Sequence, residues 1–103
     1  MLKIEIISGR IKSGEKLPSV RDFAMKAKVN PNTMQKALTE LERENLIYTE
    51  RTNGKYVTND RNLIDNIKNE IALEQVRNFI RAMNNIGIYG EEIEQYMKSE
   101  ANE

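Results

Sequence analysis

The sequence predicts a mainly α-helical fold with one small β-hairpin, and three observations predict it. Two amphipathic stretches, "PSVRDFAMKAKV" and "PNTMQKALTELEREN", stand only a few residues apart. Two β-prone runs flank Asn53-Gly54 in "IYTERTNGKYV". The rest of the chain repeats apolar residues at helical spacing. Two helices joined by a tight turn and followed by a hairpin make a winged helix-turn-helix. We therefore place a winged helix-turn-helix domain over residues 1–60 and a C-terminal helical dimerisation tail over residues 61–103.

Each element has a local cause. At the N-terminus Leu2, Ile4 and Ile6 alternate like a strand, whereas Ile4, Ile7 and Ile11 fit a helix; the segment reads as a short helix. Gly9 and Gly14 punctuate the loop that follows, and Pro18 holds Leu17 extended. Ser19 is a good N-cap, with Asp22 three residues on in a box-like arrangement. Val20, Phe23, Ala24 and Ala27 then share one helical face, and the helix ends near Lys26 to Lys28. Asn30 suits the next N-cap, and Pro31 suits the first helical position, where its missing N–H costs nothing.

In this second amphipathic helix, Met34, Ala37, Leu38 and Leu41 form the apolar stripe, and the helix runs to about Asn45. Asn32, Lys36, Thr39 and Arg43 lie on the opposite face, with Thr33 and Gln35 flanking it. Leu46 and Ile47 return to the core, and the hairpin turns at Asn53-Gly54 with Arg51 and Lys55 beside the tip. A cap needs one polar residue, yet Asn30, Asn32, Thr33, Gln35 and Lys36 crowd the start of this helix. In a helix-turn-helix these positions face base edges, which hydrogen-bonding side chains of modest length can read. The blander reading is a cap followed by a solvated face; the order helix, turn, helix, wing favours the first.

Composition excludes more than it assigns. With 103 residues and 39% hydrophobic content, the chain can build one compact domain or a small domain with an extension, but part of its core is expected to be shared with another chain. No Cys and no His are present, which removes disulfides, thiolate sites, Ser-His and Cys-His catalysis and most zinc sites. No Gly-rich phosphate loop or nucleophile–base pair stands out, so neither enzyme activity nor a cofactor nor a metal is expected. The acidic cluster Glu91, Glu92 and Glu94 reads as a solvated helix start. With no signal peptide and no long apolar run, the expected location is the cytoplasm, away from the membrane. The net charge of zero conceals a split: residues 1–60 carry eleven Lys and Arg against eight Asp and Glu, and residues 61–103 carry five against eight. A basic front half is the side to present to a polyanion.

The stretch from Ser8 to about Thr58 resembles the DNA-binding domain of the GntR family of bacterial regulators. The resemblance lies in the "G-x-x-LPSVR-x-x-A" run and in "V-N-P-N-T-x-Q-x-A" with its following "E-L-E". "VNPNT" followed by Gln35 is similar to the YtrA-type branch in particular, and "FIRAMNNIGIYGEEIEQYM" resembles the short helical tail of that branch. The resemblance implies that Ser19 and Arg21 approach DNA phosphates or groove edges, that Asn30, Asn32, Thr33 and Gln35 form the reading edge, and that Gly54 stands at the wing tip. Three departures are visible. Thr52, Asn53, Gly54 and Lys55 replace the family's usual Gly-Lys-Gly-Thr type of wing tip. The family's first helix usually begins about ten residues further upstream, so a chain clipped at its start and a weak first helix are expected. Tyr89 and Gly90 stand where the final helix usually has a Ser or Thr cap, an omission that Glu91 and Glu92 partly offset through the helix dipole.

Residues 61–103 offer too little chain for a separate effector-binding barrel or sandwich. Leu63, Ile64, Ile67, Ile71, Val76, Phe79, Ile80, Met83 and Ile86 recur at helical spacing with a phase break near Ala72–Glu74. Gly87 and Gly90 interrupt, and Ile93, Tyr96 and Met97 begin a second short helix. So wide an apolar stripe on so little chain is expected to bury against a twin, making a homodimer. The leading expectation is a dimeric, sequence-specific transcription regulator, a repressor, binding a double-stranded inverted-repeat operator. The alternative is a winged-helix protein-interaction module without sequence-specific DNA binding, which the zero net charge favours. A small-molecule effector is compatible with the sequence, but no residue points to one.

Overall fold

The computed structural model describes residues 2–101, in the order α1 (Leu2–Ile7), α2 (Val20–Ala27), α3 (Pro31–Arg43), β1 (Ile47–Glu50), β2 (Gly54–Val57), α4 (Arg61–Asn85) and α5 (Gly90–Ala101). Packing divides the chain into two compact units, one up to Lys68 and one from Asn69; α4 begins in the first and continues into the second.

The helix boundaries follow local chemistry. At α2, the Asp22 N–H donates to Ser19 Oγ at 3.2 Å, satisfying one of the free donors of the first turn. Among the described residues the Asp22 carboxylate accepts no hydrogen bond from the Ser19 N–H, so the arrangement is a cap and not a full box. Lys28 closes α2 in the left-handed region at φ 58°. Its N–H reaches Met25 O at 3.2 Å and that of Val29 reaches Ala24 O at 3.0 Å, a Schellman close. Asn30 caps α3, its Oδ1 accepting from the Asn32 N–H at 2.7 Å, and Pro31 takes the first helical position. α3 stops at Arg43, a turn-half earlier than the hydrophobic pattern suggests. Asn45 takes φ 65°, donating to Glu42 O, while Leu46 N–H returns to Leu41 O at 3.0 Å. The αL cost is small for Asn, which is why the helix ends there.

The core of the first unit gathers Ile6 and Ile7 of α1, Leu17 of the linker, Ala24 of α2, Met34, Leu38 and Leu41 of α3, Leu46, Ile47 and Val57 around the wing, and Ile64 of α4. Several residues assigned to apolar faces by spacing are less deeply placed. Ala37, Val20 and Phe23 are half-buried, Ala27 is exposed, and in α1 Ile4 is exposed while Ile6 is buried. Short helices bury only a narrow stripe, so residues at its margin stay wet.

β1 and β2 pair antiparallel, with Ile47 opposite Val57 and Glu50 opposite Gly54. The hairpin differs from the two-residue Asn-Gly turn that the sequence suggests. Arg51, Thr52 and Asn53 form the loop, the Asn53 N–H reaching Glu50 O at 3.3 Å, and Gly54 opens β2 at φ 103°. Glycine is still needed there, one position later than a type I′ turn would place it. The linker before α2 runs beside β2: Val57 N–H donates to Glu15 O at 2.9 Å, Leu17 N–H donates to Lys55 O at 2.8 Å, and Lys16 bridges Tyr56. Tyr48 and Tyr56 stack across the hairpin with centroids 5.7 Å apart.

In the second unit, α4 continues without interruption through Ala72–Glu74, so the phase break moves the apolar residues to another helix face and does not end the helix. Ile88 N–H closes α4 on Met83 O at 3.0 Å. α5 starts at Gly90 with Glu91 and Glu92 in its first turn, which suits the positive end of a helix. No helix among the described residues is long and apolar enough to cross a membrane.

Candidate nucleic-acid interface

The polar start of α3 is accessible along its whole edge. Asn30, Asn32, Thr33, Gln35 and Lys36 are all exposed, while Met34, Leu38 and Leu41 occupy the opposite, buried stripe. Their internal commitments differ. The Asn30 carbonyl oxygen is used in the cap, leaving its amide hydrogens free. Gln35 Nε2 donates to Thr39 Oγ1 at a long 3.4 Å, a contact easily exchanged for a better acceptor. Asn32 and Lys36 side chains have no hydrogen-bond partner among the described residues. Thr33 also borders an open apolar groove shared with Phe23, Ala27, Val29 and Ala37. Ser19 Oγ accepts the cap hydrogen bond and keeps its own hydrogen to donate; Arg21 is exposed on the first turn of α2.

The wing residues are less uniform. Arg51, Asn53 and Gly54 are exposed at the tip, and Asn53 Nδ2 lies 3.5 Å from Glu50 Oε2. Lys55, beside the tip, has its ammonium engaged inside the domain. Its Nζ lies 3.0 Å from Glu42 Oε1 and donates to Thr49 Oγ1 at 2.9 Å, while the Thr49 hydroxyl donates to Glu42 Oε2 at 3.0 Å. The Lys55 ammonium and then the Thr49 hydroxyl hold the Glu42 carboxyl below its ordinary value of 4.5. A carboxylate held low in the folded state stabilises the fold above its unfolded pKa, and that stabilisation is lost as pH falls through the folded value. We expect Glu42→Gln to lower the melting temperature by a few degrees at pH 7, the pair being exposed enough to contribute only about 0.2–1 kcal/mol. The gap between the two proteins should close as melts are repeated at pH values below 4.5. A gap that stays constant with pH would assign the loss to packing.

Ion pairing sorts the cations of the first unit. Lys3 pairs with Glu44 at 2.7 Å, Arg10 with Glu5 at 3.2 Å, Arg43 with Glu40 at 3.0 Å, and Lys55 with Glu42. Among the described residues, the side-chain cations of Lys12, Lys16, Arg21, Lys26, Lys28, Lys36, Arg51, Arg61 and Lys68 have no carboxylate oxygen within 4.0 Å. Lys16 escapes sequence reasoning, because only its bridge to Tyr56 carries it to the wing. It borders a groove of about 380 Å³ with Ser19, Val20, Asn53, Gly54 and Lys55. Lone polar residues in loops carry no periodic signal, so the sequence offered nothing to single it out.

The residues expected to dimerise are unequal in exposure. In the second unit Val76, Phe79, Ile80, Ile86, Tyr96 and Met97 are exposed, Ile86 at 71% and Phe79 at 40%. Ile71 and Met83 are half-buried, as are Leu63 and Ile67 in the first unit. Ile93 is 7% exposed and is covered within its own chain. Leu73, absent from the expected set, is exposed too.

Comparison with known proteins places the chain in a family. Residues 1–57 match the family described as bacterial regulatory proteins, gntR family. The chain is 37% identical over 93 residues to the HTH-type transcriptional repressor YtrA of Bacillus subtilis, covering 89% of this chain and 72% of that protein. It is 35% identical over 86 residues to the HTH-type transcriptional regulator YhcF of the same organism, covering 84% of this chain and 71% of that protein. Among solved structures, a GntR family transcriptional regulator from Listeria monocytogenes superposes with a TM-score of 0.88 at 43% identity, covering 95% of this chain and 86% of that one. A transcriptional regulator from Oenococcus oeni gives 0.82 at 30% identity, with 95% and 82% covered. The chain belongs to the GntR family of bacterial regulatory proteins, as a DNA-binding transcriptional regulator of the YtrA type.

Proposed function

We propose that the chain is a cytoplasmic homodimeric repressor that reads an inverted-repeat operator. Residues 1–60 contact the duplex and residues 61–103 pair two copies. The observation that carries this reading is the α3 edge itself: Asn32, Gln35 and Lys36 stand exposed at the start of the second helix of the turn motif, free or nearly free of internal partners. Such an edge enters the major groove, where Gln and Asn match adenine and Lys matches guanine. Arg21 and the hydroxyl of Ser19, at the start of α2, anchor phosphates and set the register. Two copies joined by their tails read two half-sites, so operator symmetry follows protein symmetry. The repressor sign is supported by the description of YtrA.

The test compares two variants on two duplexes, one carrying an inverted repeat from upstream of the chain's own coding region and one scrambled. Gln35→Ala should lose about 1–3 kcal/mol of preference for the first over the second, with non-specific affinity nearly constant. Its stability should change by less than about 0.5 kcal/mol, because the side chain is exposed. Arg21→Ala should weaken binding to both duplexes alike and flatten the salt dependence. If Gln35→Ala lowers both affinities together, Gln35 is a backbone anchor; if it moves neither, the reading edge lies instead at Asn32, Thr33 and Lys36.

A further inference from the structure

We infer that the cation delivered to a DNA phosphate beside the wing is Lys16 of the linker, while Lys55 of the wing is a positioning residue, braced by Glu42 against α3. The assignment rests on the DNA-binding reading above and refines which residues serve it.

Lys55 is spent internally. Its ammonium, the Thr49 hydroxyl and both Glu42 oxygens close a ring of three contacts between 2.9 and 3.0 Å. The Lys55 side chain is only 21% exposed. Moving it to a phosphate would strip Glu42 of its main partner and leave a bare carboxylate beside a polyanion. Together the two residues carry no net charge, so as a unit they displace no counterion. What the ring does instead is mechanical. Glu42 lies in the last turn of α3, and Thr49 and Lys55 face each other on β1 and β2, so the ring ties the hairpin to the helix that carries the reading edge. A carboxylate at a helix C-terminus is disfavoured by the dipole, and the ammonium compensates it.

Lys16 has the opposite situation. Its neighbours Glu15 and Leu17 are hydrogen-bonded to β2, so its backbone is held as if in a third strand. Leu17 points into the core, and by strand alternation Lys16 points the other way, into solvent. Its Cε comes within 3.6 Å of the position a side chain on Gly54 would take, which lays its arm along the start of β2. From there it overlooks the groove that Ser19 and Asn53 also line, with no carboxylate within 4.0 Å among the described residues. A fixed backbone and an unpaired ammonium are the attributes of a phosphate anchor.

Titration of the inverted-repeat and scrambled duplexes across a salt series tests this, using the full chain, Lys16→Met, Lys55→Met, Glu42→Gln and the Lys55→Met/Glu42→Gln double variant. Lys16→Met should flatten the slope of log K against log salt by about 0.9 for each phosphate contact it makes, leaving the preference between duplexes unchanged. Lys55→Met should leave the slope unchanged but lower the preference for the inverted repeat. Glu42→Gln should lower it by a similar factor, and the double variant should lose no more than either single one, as expected for one device. A merely stabilising role would shift melting temperatures without moving the preference at a temperature where all variants are folded, and so would overturn the brace. A flatter slope for Lys55→Met, or an unchanged slope for Lys16→Met, would overturn the assignment while leaving the DNA-binding reading intact. An unmodified chain with no salt-dependent binding to either duplex would instead overturn that reading, and this assignment with it.

Discussion

Phe79→Glu should convert the chain to a monomer at micromolar concentration and weaken binding to an inverted-repeat operator by about 10²–10⁴-fold. Phe79 and Met97 each line both apolar grooves of the second unit. One groove continues to Val76, Ile80 and Ile93, and the other to Met83, Ile86, Ile88 and Tyr96. These grooves and the exposed side chains around them form one patch with Phe79 at its middle. Among the described residues these apolar side chains stay exposed, and burial returns roughly 25 cal/mol per Å² of apolar surface. A second copy can cover it with the same surface, as a two-fold dimer requires. A carboxylate at Phe79 would then have to be buried without a partner, which costs far more than the lost ring. Because Phe79 is 40% exposed in the single chain, its own folding should be little affected.

The loss of affinity would come from losing the second half-site, since a tethered second domain binds at high effective concentration without any new contact. Sedimentation and operator titration of the variant make the check. Truncation after Lys68, which keeps the buried Ile64 in place, should behave in the same way. An intact chain that sediments as a monomer, or a Phe79→Glu chain that remains a dimer, would sink the dimer proposal.

Leu38→Ala should destabilise the winged domain by about 2–5 kcal/mol, a large part of what a domain of this size possesses. Leu38 is 1% exposed and sits mid-helix in α3, on the stripe between Met34 and Leu41. α3 packs against β1, Leu46, Ile47 and Val57 of the same core are almost wholly buried, and β-strand backbone cannot easily collapse to refill the space. A first unit of fewer than seventy residues has little surplus burial to offset the cavity. Thermal or urea unfolding measures the loss, and operator binding should fall only in step with the folded fraction, since the reading edge lies on the other face. A melting temperature within a degree or two of the unmodified chain would show that α3 is held by something other than this stripe.

The polar start of α3 and its buried stripe can both be read from the chain because each depends on residues no more than four apart. Ser19 and Asn30 cap by accepting from N–H groups two or three residues on, Pro31 fits the first helical position through its own fixed φ, and Met34, Leu38 and Leu41 share a face through helical geometry alone. The hairpin was legible for the same reason, but its loop length was not. Asn53-Gly54 marks a positive φ nearby without saying whether the pair is central or, as found, closes a longer loop.

What tertiary structure alone decided concerns charges and partners. Lys55 reads as a wing-tip cation until Glu42, thirteen residues earlier, is found 3.0 Å from it. Lys16 reads as an ordinary loop residue until a bridge to Tyr56 brings it to the wing. Ile93 belongs to the same periodic stripe as Tyr96 and Met97, yet packing covers the first and leaves the others open. Local propensity and periodicity specify elements and their faces, since those energies arise within one turn or one strand pair. Whether a cation is free or neutralised depends on which distant carboxylate the packed elements bring within a few ångströms, and Coulomb energy at that range is decided by the fold.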